Sequence, residues 1–281
     1  MENNINELKH ISLPKKPDIK NEESYIRPLQ SANVLFKFMN RLEFLKTALL
    51  KGAIIPRYYE EKIDYLNITA INKIAFPMIC FCDIHLNRLG YHIGNYGQYG
   101  IGLSKKWGIE QGIQPIHYIN PISNLRKDFS GLFNTAYNEV IDVSEKMSKY
   151  NNYLLHDLFY MKPISGEMLD KDGHLDKRNF HDEKEWRYIP DFSEANTDLP
   201  LVISQEFMNP KSYDTYSQGI IQCSELWLRF EPENIKHIIV NVAQERSELI
   251  NFIIKKEIGS KEQQYILFSK KLVFEELEED W

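Results

Sequence analysis

The sequence predicts an α+β fold: a mixed or antiparallel split sheet with helices inserted between two groups of strands. Two observations carry this. Short apolar and aromatic runs cluster between residues 34 and 119 and again between 185 and 268. Between the groups, from Ser123 to about Tyr160, apolar residues recur at helical spacing instead.

The elements follow in order. Residues 1–30, rich in Asn, Lys, Glu and Pro, read as a flexible N-terminal arm ahead of a single domain over 31–281. Val34–Phe38 is a short strand. RLEFLKTALLKG follows, with Leu42, Leu45, Leu49 and Leu50 at helical spacing and Gly52 as its C-cap. PMICFC (77–82) and YGIGL (99–103) are strands, and IQPIHYI (113–119) is a further one that Pro115 demotes toward an edge. Phe129, Leu132, Phe133, Ala136, Val140 and Val143 give the helical period of an insertion spanning about 123–182, whose last part, 162–182, is polar and turn-rich. EWRYIP (185–190), LWLRF (226–230) and KHIIVN (236–241) are strands. SELINFIIKKE (247–257) is a helix capped by Ser247, and QQYILF (263–268) is the last strand.

Composition bounds the function. Hydrophobic residues at 43% and charged residues at 26% are the balance of a globular protein with a core. A net charge of −6 argues against non-specific nucleic-acid binding. The polar start and the lack of a long apolar run predict no signal peptide and no membrane partner, hence a cytoplasmic protein. Cys80, Cys82 and Cys223 form no disulfide framework.

The candidate site residues come from three places. Phe76–Ile109 mixes two apolar runs with histidines, glycines and tyrosines, the make-up of a pocket wall; His92, Tyr96 and Tyr99 offer hydrogen bonds and stacking, or simply pack. Glu183 and Glu185 bracket Lys184 at a strand entry, where side-chain alternation would point both carboxylates one way. Such a pair suits holding a ribose hydroxyl and stabilising positive charge on a sugar carbon; it equally suits a solvated charged run. Arg57, after the first helix, offers a bidentate fork for a pyrophosphate or a surface partner for Glu60 or Glu61. Too few Cys and His stand at ligand spacing for a metal, and no metal is expected.

The block FCDIHLNRLGYHIGNYGQYGIGLSKKWGIEQGIQPIHYI, with LFKFMNRLEFLKTALLKGAIIPRYYEE and EKEWRYIP, resembles the AbiGi family of abortive-infection phage-resistance proteins. That resemblance implies bacterial phage defence within a toxin–antitoxin pair, hence a cognate toxin or antitoxin as partner. The order strand, helix, Gly, apolar pair, Arg, and the later EKEWRYIP, are also similar to DarT-like ADP-ribosyltransferases. This second resemblance implies an ADP-ribosyltransferase-like fold and an NAD-dependent effector that modifies a phage or host macromolecule. Glu185 would be catalytic with Glu183 beside it, and Arg57 would contact NAD. Lys37 stands in the first strand, Phe36-Lys37-Phe38, where many such relatives place a His. The other reading is a non-enzymatic antitoxin that binds and neutralises a toxin.

Overall fold

The computed structural model describes residues 25–69, 71–138, 145–169, 174–193 and 195–279. Most of the expected arm, and Val140 and Val143 of the expected helical period, lie outside these residues. Strand β1 (Val34–Met39) feeds helix α1 (Leu42–Lys51), and the chain returns through β2 (Ala53–Ile54) and β3 (Arg57–Lys62) to the long β4 (Lys73–Cys82). Then come α2 (Gly90–Tyr96), β5 (Tyr99–Ser104), α3 (Lys105–Glu110), β6 (Gln114–Pro115) and β7 (His117–Ile119). The inserted helices α4 (Asn124–Asn138) and α5 (Glu145–Leu158) lead to β8 (Met161–Pro163), β9 (Ser165–Leu169), β10 (Leu175–Asn179) and β11 (Glu185–Tyr188). The chain continues through α6 (Pro210–Gln222), β12 (Leu228–Arg229), β13 (Ile235–Val240), α7 (Ala243–Lys255), α8 (Lys261–Ser269), β14 (Lys271–Val273) and α9 (Phe274–Glu278).

The main sheet runs β14-β13-β5-β1-β4-β11-β6, and β3 also pairs with β4. It is mixed: β13 and β14 are parallel, and the other pairings are antiparallel. One edge of β4 divides between two partners, β3 along residues 73–78 and β1 at Cys82. Its other edge holds β11 from Ile79 to Cys82. β4 alternates sides, so Ile74, Phe76, Met78, Cys80 and Cys82 share one face while Ile79 and Phe81 take the other.

Each face has its own core. Ile79 and Phe81 pack with Leu45 and Leu49 of α1, Leu249 and Ile253 of α7 and Leu267 of α8. On the opposite face Phe76 and Met78 pack with Phe129 and Phe133 of α4, Leu155 and Leu158 of α5, and Phe159. A separate cluster on that face joins Phe36, Phe38 and Cys82 to Leu89 and Ile93 around α2. Burying each such Leu, Ile or Phe is worth about 1.5–3 kcal/mol, which is what seats the polar insertion on the sheet.

The strands expected at 34–38, 77–82, 99–103 and 236–241 and the first helix form within a few residues of the expected bounds. Gly52 caps α1 at φ 56°, its N–H reaching the carbonyls of Ala48 and Leu49. Several expectations are corrected. QQYILF is helical, because Ser260 and Gln263 close a reciprocal capping box ahead of it. The helix expected from Ser247 begins at Ala243, where Glu245 accepts from the N–H groups of Asn241 and Val242. The run 113–119 divides between β6, at the edge of the main sheet, and β7, which pairs in parallel with β8. LWLRF yields only the bridge Leu228–Arg229 to β2. The polar stretch 162–182 holds the β9–β10 hairpin rather than turns alone. Leu132, part of the expected helical period, lies in α4 but is 61% exposed.

Candidate functional site

Glu183 and Glu185 converge, though not by strand alternation. Glu183 ends a short 3₁₀ turn (Phe180–Glu183), Lys184 takes a left-handed conformation at φ 43°, and only Glu185 belongs to β11. The bend turns both carboxylates onto one cation. Lys162 of β8 donates to Glu183 Oε2 at 2.7 Å and to Glu185 Oε2 at 2.9 Å. Its ammonium also lies 4.6 Å from the centre of the Phe180 ring.

The rest of the cluster completes the coordination. Arg187 shares its face of β11 with Glu185 and donates from Nε to Glu185 Oε1 at 2.6 Å. Its Nη1 donates to the Phe159 carbonyl at 2.7 Å, and its Nη2 lies 3.2 Å from Glu61 Oε2. The Tyr96 hydroxyl donates to Glu183 Oε1. The Glu185 N–H donates to the Tyr118 hydroxyl at 2.8 Å. Glu183 and Glu185 are each 6% exposed and Arg187 is 0% exposed.

The electrostatics follow from this packing. Burial opposes ionisation of Glu185, but Arg187 and then Lys162 overcome it and hold the carboxyl well below the usual range. Burial likewise opposes the charge on Lys162 and on Arg187, and the neighbouring glutamates more than offset it, so both stay protonated. Burial, then Glu183, raises the Tyr96 hydroxyl. Burial raises Cys80 and Cys82 far above the usual thiol range, which leaves them as poor nucleophiles.

Among the other expected site residues, His92 and Tyr96 of α2 lie beside the pair. His92 is 3% exposed, stacks obliquely on Tyr96 at 5.7 Å, and is pushed down to about 4 by burial, so its imidazole is neutral. The structure does not bring in the remaining three. Arg57 pairs with Met78 in the β3–β4 register, whereas Glu185 pairs with Cys82 across the other edge of β4. Four residues along the strand and two strand spacings put them roughly 16 Å apart. Arg57 is exposed and bound to Asp214 at 2.8 Å, rather than to Glu60 or Glu61. Lys37 follows Phe36, which lines up with Cys82, so alternation turns Lys37 to the face opposite Glu185. The Tyr99 hydroxyl donates to Glu245 at 2.6 Å at the start of α7.

Lys162, Tyr118, Glu61 and Arg187 are the members of the cluster that sequence reasoning missed. Arg187 carried a signal, being two residues beyond Glu185 on one strand. Lys162 carried none, since it lies in a polar run that tertiary packing brings under β11. A depression of about 320 Å³ adjoins the cluster, between residues 83–92 and the 180–184 turn. Among the described residues no group of three or more His, Cys, Asp or Glu side chains could hold a metal ion. Among them, too, no helix is long and apolar enough to cross a membrane.

A family model described as "Putative abortive phage resistance protein AbiGi, antitoxin" matches residues 52–241. A curated relative from Lactococcus lactis subsp. cremoris, named "Abortive phage resistance protein AbiGi", is 37% identical over 250 residues, covering 82% of this chain and 100% of the relative. No solved structure matches the chain, and the comparisons give no support to the DarT-like resemblance. The matched span contains β4, Lys162 and the whole Glu183–Arg187 cluster, and the chain belongs to the AbiGi family.

Proposed function

We propose that this protein serves in abortive infection against phage as the antitoxin of a pair, acting by holding a cognate toxin rather than by turning over a substrate. The family description and the name of the Lactococcus relative support the setting. One observation carries the non-enzymatic part: the closed coordination of Glu185. Each of its carboxylate oxygens already accepts from a cation, Arg187 or Lys162, and its side chain is buried. A carboxylate that must meet a ribose hydroxyl needs a free oxygen facing a cavity. Arg57, the expected pyrophosphate clamp, is held by Asp214 well away from it. As these side chains stand, they do not close around NAD.

The test is co-expression with the protein encoded beside it. The chain should restore growth to cells expressing that toxin and co-elute with it in a fixed ratio. Purified alone, it should leave NAD intact. NAD consumption that disappears in Glu185→Gln, while the variant keeps its wild-type fold, would overturn the antitoxin reading.

A second reading, an ADP-ribosyltransferase-like effector with NAD as substrate, is favoured by one feature. Glu185 opens the short strand β11, and that resemblance sets its catalytic Glu at the entry of such a strand. Glu183 shares the same ammonium, with Tyr96 against it. This reading requires Lys162 to withdraw before either carboxylate can meet a ligand. The NAD measurement above separates the two.

A further inference from the structure

The depression beside the cluster has its own chemistry, distinct from the buried charges. Its rim carries two exposed cations, Arg88 from the segment before α2 and Lys184 from the bend before β11. Among the described residues neither side chain is paired. Lys184 is one of three non-glycine residues at positive φ among the described residues, at φ 43°, a conformation that persists where the surroundings impose it. The two walls are tied together, because the Asp83 N–H donates to the Lys184 carbonyl at 3.0 Å and the Asp83 carboxylate is anchored 2.7 Å from Lys105. That backbone contact sets the separation of the two walls at this point.

Three further groups define what would fit. Tyr91 presents a 55% exposed ring at the rim, edge-on to His92 at 5.8 Å. His92 is buried and neutral, and its Nε2 has no hydrogen-bond partner among the described residues. Asp182, exposed on the opposite wall, supplies a carboxylate acceptor. A simple inorganic anion would use Arg88 and Lys184 but neither Tyr91 nor Asp182. A cationic ligand would meet two unpaired positive charges at the entrance. A ligand that meets Arg88, Lys184, Tyr91 and Asp182 together carries an anionic group, hydroxyls and a flat ring.

We propose that this depression binds a nucleoside monophosphate, its phosphate between Arg88 and Lys184, its ribose hydroxyls toward Asp182 and its base against Tyr91. The volume of about 320 Å³ lies at the small end of the range for small-molecule sites. Guanidinium and ammonium together are the usual means of holding a phosphate. The proposal is independent of the antitoxin reading, since occupancy of this site neither requires nor prevents a protein partner. A failure here leaves the co-elution experiment untouched.

The test is titration of the purified chain with AMP by calorimetry and thermal shift, with inorganic phosphate and adenosine as separate arms. AMP should raise Tm by several degrees at millimolar concentration, and it should bind at least about tenfold tighter than either fragment. Arg88→Gln and Lys184→Gly should each weaken AMP about tenfold with an unchanged ligand-free Tm; glycine keeps the left-handed backbone at 184. No AMP binding at millimolar concentration, equal binding by both variants, or phosphate matching AMP would each overturn the proposal.

Discussion

Arg187 donates to Glu185 at 2.6 Å from two residues along the same strand, and both side chains are withdrawn from water. A pair so placed is not a strong source of stability by itself, because desolvating two ions costs nearly as much as their attraction returns. Its strength shows when one partner is removed. Arg187→Met should lower unfolding free energy by about 3–5 kcal/mol, leaving Glu185 and Glu61 without their guanidinium. Arg57→Ala, at an exposed pair, should cost less than about 1 kcal/mol. Urea unfolding of both variants measures the contrast, and equal losses would contradict the charge assignments made above.

Buried His92 makes stability depend on pH. Burial depresses its pKa from 6.5 in the unfolded chain to about 4. A group depressed on folding contributes stability that is full above its unfolded pKa and is lost as pH falls toward the folded one. The protein should therefore lose up to about 3 kcal/mol between pH 6.5 and pH 4 from this residue. Replacing His92 by Leu should flatten that part of the profile in urea titrations at pH 7 and 4.5. An unchanged slope would place the proton uptake elsewhere.

Two glycines of one short segment should respond oppositely to alanine. Gly97 ends α2 at φ 124°, and a Cβ there would fall 2.1 Å from the Met39 carbonyl oxygen. Gly97→Ala should cost about 3 kcal/mol or more and disturb Tyr96, the neighbour that holds Glu183. Gly94, inside α2, has nothing within 4 Å of its added Cβ. Gly94→Ala should be neutral or stabilise by about 0.5–1 kcal/mol. Thermal melts of the two variants decide this.

What the sequence made legible was whatever a buried apolar run announces. β4, β5 and β13 are buried along most of their length and β1 is buried or half-buried throughout, so their periodicity is readable. QQYILF failed for the complementary reason: a short apolar run has no period of its own, and the decision rests with Ser260 and Gln263 just before it. The hairpin of SGEML and LDKRN is held by its backbone ladder and announces nothing by alternation. At the site, spacing suggests that Glu183 and Glu185 pair by strand alternation, but the left-handed bend at Lys184, which spacing does not show, is what brings them together. Lys162, the cation that joins them, comes from an insertion whose placement depends on Phe129, Phe133 and Leu158 meeting Phe76 and Met78. Such a contact is long-range and leaves no local trace.

Lys162 is therefore the residue on which the centre's charge balance turns. With it, each glutamate has an ammonium within hydrogen-bond reach; without it, two buried carboxylates face each other with Arg187 and Tyr96 alone to satisfy them. Lys162→Met should lose about 3–5 kcal/mol at pH 7.5. The sign of its pH response should also change. Two carboxylates in one site relieve their repulsion by taking up a proton, which raises a folded-state pKa and adds stability at low pH that is lost as pH rises. The gap between variant and wild type should accordingly narrow as pH falls from 7.5 to 5.5. Denaturant titrations at the two pH values measure it, and a gap that stays constant would mean that Lys162 packs beneath β11 without compensating the charge of the pair.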